Sequence, residues 1–371
     1  MKILIVGEYS GFAKNLAEGF KDLGHECVII SYGDGWKNID TGGNGYLLKR
    51  PKNWKLGNLE LRGTWRIKGC FLFKQIVFMK EKYEHYFDAV LVINYEFLRL
   101  NYEKWYTYFS FKDLKQMLTP EGKIYLSSCG DDYPTLLYTK KLRYTAYVNV
   151  EKSVYFTNRS LRVFRKVCRN IVGVIPVMCG YSDGYRDVAE QYGLKVFNVI
   201  PLPIDLKTII PMNKIEDKIV IFHGLNRAIK GTTLIVEALN RIKVDFSDKV
   251  EVIVKERMPL KQYLSLMQRT NIIVDQCWSY AYGMNAIYGM AMGKVVLSGN
   301  EEECGKEFKR NDVPVINILP DIEDIYQKLK ELICQPEKII SIGKQSAKFV
   351  EEFHNAQVVA KSYIQLMLTQ K

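Results

Sequence analysis

Two cations, Arg227 and Lys230, lie on the stretch Phe222-His-Gly-Leu-Asn-Arg-Ala-Ile-Lys-Gly-Thr232, between an apolar strand and a helix that opens at Thr232. A loop of this kind offers positive side chains beside backbone N–H groups that no helical turn has yet paired, a setting for an anion. A second stretch, Tyr282-Gly-Met-Asn-Ala-Ile-Tyr-Gly-Met-Ala-Met-Gly-Lys-Val-Val296, reads as a glycine turn, a small-residue helix and a new strand. Two such units facing one crevice suit a diphosphate. Donors fixed near charge that builds on a departing group lower its barrier, and losing one costs about 2.7–4 kcal/mol in comparable sites. Arg227 and Lys230 are therefore the candidate leaving-group stabilisers. Gly224, Asp275, Gly283, Met284 and Asn285 are the candidate donor contacts beside them.

Other polar residues cluster at strand ends. Gly7-Glu-Tyr-Ser-Gly11 links the first strand to a helix whose amides would face the crevice, so Gly7 and Gly11 form its other wall, although tight turns need glycine on steric grounds alone. In Ser127-Ser-Cys-Gly-Asp-Asp-Tyr-Pro134, Asp131 and Asp132 are candidates for acceptor binding or proton abstraction, with a helix N-cap as the competing role. Lys255-Glu-Arg257 could meet a nucleotide base edge. Asn94 and Tyr95 are polar without being acid–base groups, and His223 reads as a satisfied crevice-edge histidine. The fingerprint G-x-G-x-x-G is absent, which argues against a dehydrogenase. Four histidines without paired spacing and no strand-flanked D-x-D argue against a metal site.

A chain of 371 residues exceeds what one core supports, so two domains are expected. Eight cysteines are scattered without a C-x-x-C pair, which reads as neither a disulfide framework nor a zinc site and fits a reducing cytoplasm. No apolar run reaches the length of a membrane span. The net charge of +12 is uneven: residues 1–210 hold 31 Lys/Arg against 21 Asp/Glu, the remainder 22 against 20. Residues 41–80 carry nine basic side chains and one acid, Glu60, interleaved with Trp54, Trp65, Phe71, Phe73 and Phe78. That composition points to an anionic partner, an anionic membrane surface foremost; no nucleic-acid module is recognisable.

Apolar runs at 3–6, 27–31, 89–93, 123–127, 173–178 and 196–200 predict the strands of a first domain, with a helix over 12–23. After a proline-bearing hinge near 202–215 the pattern restarts. It predicts strands at 218–223, 249–254, 271–274, 294–298 and 314–318, and helices at 232–243, 259–268, 283–292, 321–333, 336–351 and 354–369. Strands separated by helices predict two doubly wound parallel α/β sheets.

Gly224…Arg227…Lys230-Gly231 with Ile235-Val-Glu-Ala-Leu239, Val199-Ile-Pro-Leu-Pro-Ile-Asp205, and Gly283 followed by Met290-Ala-Met-Gly-Lys-Val-Val296 resemble motifs of the family 4 retaining glycosyltransferases of the GT-B fold. The likeness spans nearly the whole chain and is diffuse from about 35 to 120. It implies two Rossmann-like domains facing across a crevice: residues 1–204 for the acceptor, with the terminal helix 354–371 packing back on them, and 205–353 for the nucleotide sugar. It also implies transfer, with retention, from a nucleoside diphosphate sugar to a glycan or lipid-linked acceptor. No cofactor or metal is implied, and the site would be cytoplasmic, peripheral on the inner membrane face. One departure matters. The family's two donor-loop glutamates fall on Tyr280 and Tyr288, which cannot supply a carboxylate. With Trp278 and Tyr282 they suit stacking on a sugar, and core packing is the competing role. A degenerate binding or partner subunit and a nucleotide-sugar epimerase are the rival readings.

Overall fold

The computed structural model describes residues 1–48, 54–57, 59–61, 65–98, 109–225, 230–256 and 258–370. Arg227 and Arg257 therefore lie outside the described residues. The first lobe begins β1 (Lys2–Val6), α1 (Phe12–Asp22), β2 (Glu26–Ser31) and β3 (Gly45–Leu47). A hairpin follows, β4 (Trp54–Leu56) and β5 (Leu59–Leu61), then α2 (Trp65–Lys82), β6 (Phe87–Val92), α3 (Phe111–Met117) and β7 (Leu118–Ser128). The lobe closes with α4 (Tyr133–Tyr138), α5 (Asn158–Cys168), β8 (Val174–Pro176) and α6 (Cys179–Tyr192). Its main sheet has the order β3-β2-β1-β6-β7-β8, with every pair parallel. The strand order reverses beside β1, so a crevice opens at the carboxyl ends of β1 and β6.

The second lobe runs β9 (Ile219–Leu225), α7 (Thr232–Asp245), β10 (Val250–Glu256), α8 (Leu260–Gln268), β11 (Ile272–Val274), α9 (Met284–Ala291) and β12 (Val295–Ser298). It continues through α10 (Glu302–Phe308), β13 (Val315–Asn317), α11 (Ile322–Cys334) and α12 (Pro336–Phe353), and α13 (Ala356–Thr369) ends the chain. The five strands are parallel in the order β10-β9-β11-β12-β13, so the switch point falls between β9 and β11. Period-two alternation sorts the side chains. Ile221, Ile272, Val274, Val295 and Leu297 face α7 and α11, whereas Phe222, Ile273 and Val296 join the core shared with the first lobe.

The expected GT-B arrangement of two parallel α/β lobes is the observed one. Three local expectations change. Residues 196–200 form a single bridge, Val174 to Val196, rather than a strand. Pro176, Pro201 and Pro203 have no N–H to extend the ladder. The apolar runs also miss the β4–β5 hairpin and α10, both too short for a periodic signal. Finally, Cys179 at the start of α6 and Cys304 in α10 are joined by a disulfide, with Cα atoms 5.0 Å apart. They are 125 residues apart, and only the docking of the lobes brings them together.

Residues 205–218 carry no helix or strand, and the chain returns to the first lobe through His354. The amide of Ile204 donates to the His354 carbonyl and that of Ala356 to the Ile204 carbonyl, after which α13 lies against α1. At Gly19 of α1 a Cβ would sit 2.1 Å from the Ala356 carbonyl oxygen, so glycine permits this approach. The buried His354 ring donates from Nδ1 to the Leu202 carbonyl (2.7 Å) and accepts at Nε2 from the Tyr282 hydroxyl (3.0 Å). Burial holds its pKa down at about 4. The unfolded chain therefore binds a proton that the native state refuses. Stability from this group is fully present above about pH 6.5 and is lost as pH falls toward 4, by roughly 3 kcal/mol in all. Urea unfolding at about pH 7 and about pH 4 should show this difference shrinking in His354→Gln; an unchanged difference would remove His354 from the linkage.

Candidate functional site

The second-lobe crevice is built around one carboxylate. Asp275 follows β11, is 2% exposed, and accepts from Lys230 Nζ (2.5 Å), Asn285 Nδ2 (2.8 Å) and Ser298 Oγ (3.4 Å). Its partners come from three places: the loop before α7, the first turn of α9 and the end of β12. Two of the expected donor contacts, Asp275 and Asn285, and the expected leaving-group stabiliser Lys230 are thereby brought together. The Lys230 charge is balanced by Asp275, so among the described residues the positive field left for an anion comes from backbone dipoles.

Those dipoles are available. Gly231 opens α7 and Gly283 opens α9, and neither helix has a side-chain cap. The two helix starts flank the Asp275–Lys230 pair at the switch point, and their unpaired amides favour a negative group. Gly231 has φ +82°, and a Cβ there would lie 2.1 Å from Cys277 Sγ; glycine is required. Around Gly283 the corresponding space is open, and Met284 beside it is buried. Gly224 has a different reason to be glycine, since a Cβ would meet the Tyr263 hydroxyl at 2.5 Å. Burial raises the pKa of that hydroxyl, with the neighbouring Asn285 side chain opposing the shift. Tyr263, on α8 against Phe222, packs over the carboxyl end of β9, a placement that no motif in its own segment signals. His223 has both ring nitrogens engaged, Nδ1 with the Val274 carbonyl (2.7 Å) and Nε2 with the Thr232 hydroxyl (3.2 Å). Burial lowers its pKa, which suits a structural role.

The first-lobe wall is filled from within. Glu8, 2% exposed, accepts from the amides of Gly11 (2.9 Å) and Lys14 (3.0 Å), capping α1 with the chain's own carboxylate. Burial, helped by the Asp34 charge, raises its pKa to about 7. The α1 amides that were expected to meet a ligand are thus partly satisfied by Glu8, a residue between the two glycines that the motif reading passed over. Gly7 and Gly11 leave room for side chains: a Cβ would lie 2.1 Å from the Phe97 ring at Gly7 and 2.5 Å from the Tyr288 hydroxyl at Gly11.

Tyr280 and Tyr288 turn toward the first lobe. The Tyr288 hydroxyl accepts from Asn15 Nδ2 (3.1 Å), and Asn15 Oδ1 accepts from the Asp205 amide in the hinge (3.2 Å). The Tyr280 hydroxyl accepts from the Arg143 amide (2.6 Å), beneath the Arg143 guanidinium and against Tyr144. Arg143 and Tyr144 also reach Glu301, and Arg186 pairs with Glu307, beside the Cys179–Cys304 bridge. Both tyrosines thus join the lobes, each with a buried ring and a hydroxyl engaged by a first-lobe group.

The two first-lobe acids part company. Asp132, 1% exposed, caps α4 at the Thr135 amide (3.0 Å) and accepts from the Tyr185 hydroxyl (2.6 Å); burial raises its pKa to about 6. Its capping role is the one the structure supports. Asp131 is less buried and accepts from the Tyr147 hydroxyl (2.5 Å).

No protein-family profile matches the chain, and no curated protein sequence does. Solved structures do. A sucrose-phosphate synthase from Thermosynechococcus elongatus superposes with a TM-score of 0.62 at 14% identity, over 100% of this chain and 99% of that one. HepE of Anabaena, solved with UDP and glucose, gives 0.59 at 12% identity over the whole of both chains. A Listeria monocytogenes protein described as a UDP-N-acetylglucosamine 2-epimerase gives 0.52 at 12%, over 98% of this chain and 94% of that one. Likeness at such identity establishes the fold: two Rossmann-like lobes of the GT-B type.

Proposed function

We propose that this chain is a glycosyltransferase that moves a sugar from a nucleoside diphosphate donor to a glycan or lipid-linked acceptor, with retention of configuration, in surface polysaccharide or glycoconjugate assembly. The observation that carries the reading is the convergence of Lys230 and Asn285 on Asp275 between the uncapped starts of α7 and α9. The UDP complex of HepE supports the donor class. As the anomeric C–O bond breaks, charge develops on the diphosphate; Lys230, Arg227 and the two helix starts stabilise it without a divalent ion. The incoming hydroxyl approaches the same face and passes its proton to the leaving phosphate oxygen. Asp131 orients that hydroxyl from the first lobe. Closure of the lobes about the hinge excludes water and protects the donor from hydrolysis.

A binding subunit without turnover is the second reading, favoured by the engagement of Tyr280 and Tyr288 with Arg143 and Asn15. An epimerase would need carboxylates about the sugar, and Asp275 is the one the second-lobe site supplies among the described residues. Release of nucleoside diphosphate only after acceptor addition separates the transferase from both.

Calorimetric titration with UDP and GDP should detect binding of at least one, and silence with both would remove the reading. Arg227→Ala should lower turnover about 100- to 1,000-fold, with Arg227→Lys recovering part of it. Lys230→Ala should lower both affinity and melting temperature, since it strands the Asp275 carboxylate, whereas Lys230→Arg should keep the fold. A double-mutant cycle of Asn15→Ala and Tyr288→Phe should show a coupling of about 1 kcal/mol in urea unfolding; strict additivity would mean that this interlobe bond contributes nothing.

A further inference from the structure

The one bridged cysteine pair among the described residues spans the two lobes. Cys179 is the first residue of α6, Cys304 lies in α10, and both are buried. They share a small apolar cluster with Tyr280 and Ala281, against which Leu142 and Tyr144 pack. The rest of this corner is polar. Arg143 reaches Glu301 and Glu303, and Arg186 pairs with Glu307, through guanidinium side chains that are 59% and 42% exposed. Exposed ion pairs of this kind hold weakly, and salt screens them. The covalent bond therefore decides whether the corner stays shut. It also borders the segment that leads into α9. The Glu301 amide donates to the Tyr280 carbonyl (2.9 Å), and Gly283 opens α9 just beyond.

From this placement we propose that the Cys179–Cys304 bridge is a redox-operated latch on the crevice. Intact, it pins α6 to α10 and keeps the lobes together. Opened by thiol–disulfide exchange with a dithiol, it leaves only the ion pairs, and the lobes part to admit a ligand. Both sulfurs are buried, so exchange proceeds when those weak pairs let the corner breathe. A thiolate of the reductant attacks the Cys304 sulfur, the bond to Cys179 breaks, and Cys179 leaves as a thiolate. The second thiol of the reductant then displaces Cys304 from the mixed disulfide. The reductant ends as a disulfide, and two electrons and two protons have passed to the protein. Cys179 suits the leaving role. Helix α6 has no side-chain cap and no acid in its first turn, so its unpaired amides favour negative charge on that sulfur. The other cysteines described, Cys27, Cys129, Cys168, Cys277 and Cys334, are free, so the bridge is not part of a disulfide framework. Entry of a nucleoside diphosphate rests on the function proposed above; the opening itself does not.

The test uses the full chain, oxidised with glutathione disulfide or reduced with dithiothreitol. Alkylation in denaturant followed by peptide mass mapping should find Cys179 and Cys304 protected in the oxidised chain and labelled in the reduced one. Small-angle scattering should give a larger radius of gyration after reduction. Cys179→Ser and, separately, Cys304→Ala should show the larger radius in both redox states, whereas Cys334→Ser should respond as wild type does. UDP should associate at least about tenfold faster with the reduced chain, the gain expected when the competent state rises from about a tenth of the population. Labelling of both cysteines in the oxidised chain, or equal radii in all samples, would overturn the latch. Opening with UDP association at equal rates would overturn its role at the crevice. Opening on reduction with no UDP binding in either state would support the latch and count against the donor reading.

Discussion

A carboxylate kept out of water is tolerated only when its charge and lone pairs are matched, and Asp275 is the point at which this molecule meets that condition. The same three bonds that satisfy it place Lys230 before α7, hold the first turn of α9 through Asn285, and tie both to β12 through Ser298. Strand order puts the carboxylate at the switch point between β9 and β11, where helix starts converge. The cost of burying Asp275 thus becomes a geometric constraint on the crevice. It also sets the electrostatics: the ion pair is close to neutral, so the field at the crevice comes from the amide dipoles of the helix starts.

The other wall is arranged differently. Glu8 occupies the start of α1 from inside the chain, and with a pKa near 7 it can be neutral or charged in the physiological range. Tyr288 fills the space beside Gly11, and Tyr280 anchors the Arg143 segment. Together with the Cys179–Cys304 bridge and the Arg186–Glu307 pair, these contacts hold the lobes at two separate points, one near the hinge and one beside α10.

Charge and apolar surface are likewise divided between the lobes. The excess of lysine and arginine lies in the first lobe, and so does the exposed face of the β4–β5 hairpin. No helix among the described residues is long and apolar enough to cross a membrane.

Much of this was readable from the chain alone. Runs such as Ile3–Val6 and Val295–Leu297 are buried on both faces and announce parallel strands, and glycine followed by a helical stretch places turns at Gly231 and Gly283. Local patterns carry that information because they reflect local geometry. The roles of side chains are another matter. Whether Asp132 caps a helix or meets a substrate depends on Thr135 and Tyr185, and whether Tyr288 grips a sugar or Asn15 depends on a helix 273 residues away. The cysteine pair, the Glu8 cap and the Tyr263 hydroxyl follow the same rule. Sequence determined the two lobes, their strands and the loops that bear cations, because backbone pairing follows from short-range periodicity. Tertiary structure alone decided which polar groups face each other across the crevice, because that depends on how two lobes distant in sequence come into contact.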